Sequence, residues 1–427
     1  MAAPDLTRYT LDNGLRVVLA PDPTAPVVGV SVHYDVGFRS EPEGRTGFAH
    51  LFEHLMFQGS ESLEKLAHFR YVQSSGGTFN GSTHPDYTDY FEVLPAAALE
   101  RALFLEADRM RAPKLTAENL ANQIDVVKEE IRLNVLNRPY GGFPWILLPP
   151  VLYKTFPNAH NGYGDFTDLE QASLEDCAAF FDTYYAPANA VVTVAGDFTV
   201  DRARELIERH FGDVPARPKP PRPSFAEPLP AGELRGEHLD PHAPLPALAV
   251  GYRMPDPIND LDGYLANLVL GGVLGDGDGA RLQQRLVHRE PLVTDLGAGA
   301  GLFGPFEARD PDVFTITAIH TPEVEPDRIL GALDEELEKL AAAPPDEQEL
   351  ARVTARWAAG LHSEHDRLVS RTLAFGSFEL LYDDPALVAT LADRIAAVTS
   401  DDVVAAAKAL RPDSRAVLVV KPEQEGK

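Results

Sequence analysis

Apolar and polar positions along the chain regroup every few residues, which predicts short strands alternating with helices. Residues 6–11 and 15–19 flank Asp12-Asn13-Gly14, a hairpin signal. A valine-rich strand is expected at 26–36 and a polar loop at 37–44. Residues 62–74 read as a helix ended by Gly76 and Gly77. Two strands at 78–83 and 88–94 are joined by His84-Pro85-Asp86, and a helix follows at 96–110. Thr116 is a plausible N-cap, with Glu118 in the first turn, for a helix running to about Asn137. Ser173 caps another helix, 190–195 is a strand, and 199–211 is a helix stopped by Gly212.

The pattern then breaks. Pro215, Pro218, Pro220, Pro221, Pro223, Pro228 and Pro230 fill a stretch that reads as a semi-rigid linker, or as an ordered polyproline segment. Beyond it the order of elements repeats. A strand at 248–252 precedes an apolar helix around 265–270. Near the end, Ser400-Asp401-Asp402-Val403 opens a helix leading to a strand at 416–420, as the Ser173 helix leads to 190–195. The expected architecture is α+β, with two homologous domains, each a mostly antiparallel sheet packed against helices. The boundaries are residues 1–212, a linker at 213–237, and residues 238–427.

One stretch carries chemistry. Phe48-Ala49-His50-Leu51-Phe52-Glu53-His54-Leu55-Met56-Phe57 reads as a buried helix. At about 100° per residue, Phe48, Leu51, Phe52 and Leu55 gather on one side. His50 and His54, four apart, lie on the other and can grip one ion, with Glu53 at the edge of that face. The order His-x-x-Glu-His is the inverse of the commoner zinc helix. The helix opened by Thr116 has an apolar stripe of Leu120, Ile124, Val127, Ile131 and Asn134. Glu130 projects along its margin, one heptad after Gln123, while Glu129 faces solvent. A carboxylate at a buried margin must be paired or bound to metal. Glu130 is thus either the third ligand or a buried glutamate bonded to a backbone amide or an arginine.

Composition narrows the setting. A net charge of −27 argues against nucleic acid and anionic membranes as main partners. No apolar run reaches the roughly 18 residues of a membrane helix. No basic stretch followed by an apolar one opens the chain, so no secretory signal is expected. The single cysteine, Cys177, is expected to be a small buried residue and fits a reducing compartment, so a cytoplasmic location is expected. His362, Glu364 and His365 are expected on the surface of a polar helix.

Several motifs together resemble the pitrilysin, insulysin and mitochondrial processing peptidase family of zinc peptidases. They are Leu11-Asp12-Asn13-Gly14-Leu15-Arg16-Val17, His50-Leu51-Phe52-Glu53-His54, Gly76-Gly77-Thr78-Phe79-Asn80, Val126-Val127-Lys128-Glu129-Glu130-Ile131 and Tyr184-Tyr185-Ala186-Pro187-Ala188-Asn189. The chain length resembles the short-chain subfamily, in which two subunits close a clam-shell chamber. The resemblance implies one zinc held by His50, His54 and Glu130, with Glu53 as general base. It implies that a substrate peptide adds to the strand carrying Phe79, Asn80 and Gly81, although Asn80 also suits a plain turn or sheet edge. Gln123 stands where many relatives carry a second glutamate and is expected to tune the metal from beside its ligands.

One departure bears on partners. Peptide-cleaving relatives use an Arg and a Tyr, seven residues apart, in a stretch like 281–294. Here those positions are Val287 and Thr294, neither a cationic nor a phenolic donor. Arg285 and Arg289 are out of register. The expectation is a heterodimer, in which this chain brings zinc and a homologous subunit brings the Arg/Tyr pair. A self-sufficient homodimer and a non-catalytic structural subunit are the alternatives. The glycine-rich run at 271–279 reads either as a substrate-sensing loop or as a flexible turn; it lacks the Gly-Lys-Ser/Thr ending of a phosphate loop.

Overall fold

A computed structural model describes residues 5–423. Two mixed sheets dominate. The first has the order β1-β2-β6-β3-β5-β4. Its strands are β1 (Thr7–Thr10), β2 (Arg16–Pro21), β3 (Val27–Tyr34), β4 (Thr78–Thr83), β5 (Thr88–Pro95) and β6 (Ala190–Gly196). Only β2 and β6 run parallel; the other pairings are antiparallel. The second sheet, β7 (Leu234–Asp240), β8 (Ala247–Arg253), β9 (Val293–Ala300), β10 (Val313–His320) and β11 (Arg415–Pro422), has the order β7-β11-β8-β10-β9. Here β7 and β11 are the parallel pair. Matching β7 to β2, β11 to β6, β8 to β3, β10 to β5 and β9 to β4 superposes the two connectivities. The α+β repeat expected from the sequence is therefore present, with β1 as an addition to the first copy.

The compact units do not follow a cut at residue 213. One gathers residues through Lys128 with Gly162–Pro223 and Gly360–Leu391; the other gathers Glu129–Asn161, Ser224–Ala359 and the segment from Ala392. Each sheet is covered by a helical segment from the opposite half of the chain. In the first unit the helix Leu368–Tyr382 lies on β3 and β6. Glycines permit that approach. A Cβ on Gly29 would meet Thr372 Oγ1 at 2.3 Å, and one on Gly376 would meet His33 Cε1 at 2.4 Å. In the second unit Leu148, Leu152 and Tyr153 pack with Ala249, Val313, Leu418 and Val420. An exposed apolar sheet face must be covered by something, and sequence periodicity does not say by which segment.

The proline-rich stretch forms no helix or strand, and part of it is anchored. Lys219 and Arg222 both pair with buried Asp35, at 3.1 and 2.9 Å. Cys177 is fully buried, and burial pushes its thiol up to about 12, so it is an inert core residue. His365, expected at the surface, is buried, because its helix packs one side inward. Among the described residues no helix is long and apolar enough to cross a membrane.

Candidate metal centre

The helix α1 (Phe48–Leu55) forms where the sequence placed it. Its apolar side is completely buried: Phe48, Leu51, Phe52 and Leu55 are at most 2% exposed. Phe52 packs on Phe180 and Tyr185, with ring centroids at 4.9 and 5.2 Å. This face anchors α1 and fixes the opposite one. There, Nε2 of His50 and Nε2 of His54 lie 3.3 Å apart, with the two ring planes at 85°. Zinc–nitrogen bonds of about 2.05 Å in a tetrahedron require nitrogens about 3.3 Å apart. The imidazoles thus stand at the separation that a shared tetrahedral ion demands.

The N-terminus of α1 has an unusual cap. Gly47 is left-handed, with φ at 84°, and provides no side chain. The buried carboxylate of Glu41 takes that role from outside the helix, accepting from the Gly47 and Ala49 amides at 2.9 and 2.8 Å. It satisfies orphan donors and favours the positive helix end. Thr46, just before, donates from its amide and its hydroxyl to Asp168, at 3.0 and 2.7 Å.

Two further helices follow in the same unit, α2 (Ala67–Ser74) and α3 (Leu99–Arg111). The first is shorter than the 62–74 expected. Leu66 is left-handed, and Ser62 is held back by Asp108, which accepts from its amide and hydroxyl. Glu130 lies in the last turn of α4 (Ala117–Ile131). The Thr116 hydroxyl accepts from the Asn119 amide at 3.1 Å, an N-cap bond as expected. Leu120, Val127 and Ile131 are buried, whereas Asn134 is exposed, because the α-helix ends at Ile131 and a five-residue π-helical turn, Arg132–Leu136, follows. Val127 and Glu130 lie on this one helix. The ligand atoms of His50, His54 and Glu130 all lie within 4.8 Å of one another. Two imidazoles and a carboxylate at that spacing fit zinc, which takes N and O donors and leaves a fourth position open when three protein ligands hold it.

Asn119 carries no distinguishing signal in the sequence. It is buried, and its amide donates to the backbone carbonyls of Gln58 and Lys114, at 3.3 and 3.2 Å. Gln58 in turn donates to the His54 carbonyl at 3.2 Å. This chain of bonds ties the start of α4 to the end of α1. Gln123 is buried, and its amide donates to the neighbouring Asn122 at 2.9 Å.

Glu53 faces β4. Its Oε2 accepts from the Thr83 hydroxyl at 2.7 Å. Gly81 lets the strand approach: a Cβ there would lie 3.2 Å from Glu53 Cγ. Among the described residues β4 is an edge strand paired only with β5, so its outer backbone groups face outward for pairing. Asn80 on it is exposed, while Phe79 turns inward and stacks on Phe69, with centroids 4.6 Å apart at 15°. The Phe79 ring is thus part of the packing under the strand.

A second His/carboxylate group, His68 on α2, Glu92 on β5 and Glu106 on α3, is wholly buried beneath this edge. It had no signal in the sequence beyond the Glu-x-x-Arg spacing of Glu106 and Arg109. Arg109 Nε donates to Glu106 at 2.9 Å, and a second guanidinium nitrogen completes the pair. His68 Nε2 lies 2.6 Å from Glu92. Burial pushes both carboxyls up to about 7, and burial with the nearby Arg109 pushes His68 down to about 3. Arg109 already fills Glu106, so the group is a buried polar cluster closed by side chains of the protein itself.

In the second unit, the helix after β8, Leu261–Gly275, is apolar and carries no His or Glu. Thr294 donates to the Ile319 carbonyl at 3.1 Å. Arg285 is buried and committed to Glu290, Glu335 and Glu336.

Comparison with known proteins identifies the family of the chain. Residues 16–138 match the family model Insulinase (Peptidase family M16), and residues 171–356 match Peptidase M16 inactive domain. The chain belongs to peptidase family M16. It is 30% identical to the zinc protease PqqE of Helicobacter pylori over 347 residues, covering 81% of this chain and 76% of that one. It is 24% identical to a probable mitochondrial-processing peptidase subunit beta of Arabidopsis thaliana over 221 residues, 51% of this chain and 41% of that one. Its fold is similar to the crystal structure of a protease from Helicobacter pylori, with a TM-score of 0.90, 26% identity, and coverage of 98% of this chain and 100% of that one.

Proposed function

We propose that this chain is the zinc-bearing catalytic subunit of a metalloendopeptidase that hydrolyses peptides or unfolded segments. The observation that carries the reading is the convergence of His50, His54 and Glu130 beside Glu53, which in turn bonds to an edge strand. Zinc, when held there, supplies Lewis acidity and lowers the pKa of a water to about 7. Glu53 takes the proton of the attacking water and returns it to the leaving amine. The Thr83 hydroxyl keeps one Glu53 oxygen oriented. An extended substrate adds to β4 as a further strand, so recognition rests on backbone groups and on the exposed side of Asn80.

The complementary half of the reaction comes from a partner. Neither Val287 nor the Thr294 hydroxyl offers a donor for charge developing on the scissile carbonyl, and Arg285 is bound in ion pairs. A homologous subunit carrying those donors, closing a chamber with this one, supplies them. A purely structural role fits the His/Glu cluster poorly, since a scaffold has no use for three such donors held together.

The test is to assay the purified chain alone and with its homologous subunit, measuring metal content in both. The expected result is about one zinc per chain, weak cleavage alone and strong cleavage with the partner. Glu53→Gln should retain zinc and lose turnover. Strong cleavage by the lone chain would overturn the division of labour, and absence of zinc would overturn the enzyme reading.

A further inference from the structure

A tyrosine ring lies directly against the first histidine of the metal helix. The Tyr163 ring centroid is 5.1 Å from that of His50, with the planes at 86°. His54 meets the same imidazole at 85° from its own position. The His50 ring therefore packs against two rings that each stand nearly perpendicular to it.

The backbone that brings Tyr163 there is trapped at several points. A Cβ on Gly162 would fall 2.6 Å from the Phe38 ring. Gly164, at φ +80°, lies so close to Gly47 that a Cβ would meet its Cα at 2.5 Å. A Cβ on Gly47 would in turn meet the Tyr163 carbonyl at 2.7 Å. The next residue, Asp165, donates from its amide to the Thr46 hydroxyl at 2.9 Å, and that hydroxyl donates to Asp168. The loop and the start of the metal helix are thus one interlocked unit, and the Tyr163 ring has a fixed place over His50.

We propose that Tyr163 is a positioning residue for the metal: its ring holds the His50 imidazole plane so that Nε2 stays aimed at the ion. The physical reason is entropic. An imidazole free to turn about its Cβ–Cγ bond must be ordered on binding, whereas one already clamped is preorganised. Partners beside a metal ligand are typically worth about 10–100-fold in metal affinity. The inference rests on the zinc reading above, and its test reads metal binding rather than peptide cleavage.

Zinc affinity is measured by chelator competition on the full chain and on Tyr163→Phe, Tyr163→Ala and Tyr163→Leu, with cobalt-loaded absorption spectra as a second readout. The expected results are a near-unchanged dissociation constant and spectrum for Tyr163→Phe, and about tenfold or greater weakening with an altered spectrum for Tyr163→Ala. Tyr163→Leu, which keeps the bulk without the ring, guards against a folding failure of the alanine variant and should resemble it in affinity. Unchanged affinity in the alanine and leucine variants overturns the proposal. So does a phenylalanine variant as weak as alanine, which would assign the effect to the hydroxyl. A parent chain that binds no zinc overturns the enzyme reading itself, a result distinguishable from either.

Discussion

The Thr83 hydroxyl donates to Glu53 Oε2 at 2.7 Å, joining the edge strand of the first sheet to the carboxylate on the metal helix. The bond couples the place where a peptide would bind to the group that would move its proton. A hydrogen bond to a charged group is worth about 1.5–3 kcal/mol. Thr83→Val should therefore lower kcat by about tenfold or more, while leaving zinc content and the melting temperature near those of the parent. Unchanged kcat under saturating substrate would show that Glu53 needs no such partner.

Gly81 controls the same junction sterically. A Cβ there would lie 3.2 Å from Asp89 O, Glu53 Cγ and Tyr90 Cδ1 at once. Gly81→Val should push β4 away from α1, reduce kcat/KM by at least about tenfold, and cost about 1–3 kcal/mol of stability by overpacking. Zinc binding should persist, because no ligand is carried by β4. Equilibrium denaturation with metal analysis separates these effects; concurrent loss of zinc would contradict the assignment.

Glu41 caps the metal helix from outside through two amide bonds. Glu41→Ala removes both and leaves the buried Gly47 and Ala49 amides unsatisfied. The expected cost is about 2–4 kcal/mol, together with weaker zinc binding, since His50 lies in the first turn. Denaturant midpoints with chelator titration measure both. A variant as stable as the parent would refute the capping role.

The buried His68–Glu92–Glu106 group predicts a pH dependence of stability. The carboxyls titrate at about 7 in the folded chain against an ordinary 4.5, so the folded state binds more protons than the unfolded state between those values. Stability from this source is present at low pH and falls as pH rises through that window. His68 acts in the opposite sense: at about 3 against 6.5, it makes stability rise with pH between those values. From about pH 6.5 upward only the carboxyls act, so the denaturation midpoint should decline toward pH 7.5. Glu92→Gln should flatten that decline. An equal decline in the variant would show that other groups cause it.

Periodicity alone put His50 and His54 on one face of a helix. Four-residue spacing and the buried side of Phe48, Leu51, Phe52 and Leu55 dictate how a helix must turn His50 and His54. Both are local consequences of 3.6 residues per turn. The repeated order of elements and the lack of a metal motif in the second copy were equally legible. The margin of α4 made Glu130 a candidate, because a carboxylate beside Val127 and Ile131 needs a partner.

What the sequence determined by itself was the spacing of side chains along the strongly periodic elements and the order of elements. Relations between elements were decided by tertiary packing. Nothing near Tyr163 in the chain announces that it lies on His50, and nothing near Asn119 announces its bonds to the end of α1. The same is true of Thr83 against Glu53, and of the helix Leu368–Tyr382 covering β3 and β6. Such contacts depend on which glycines let two backbones close up and which apolar face needs cover. Those are properties of the packed chain, and local hydrophobic period does not encode them.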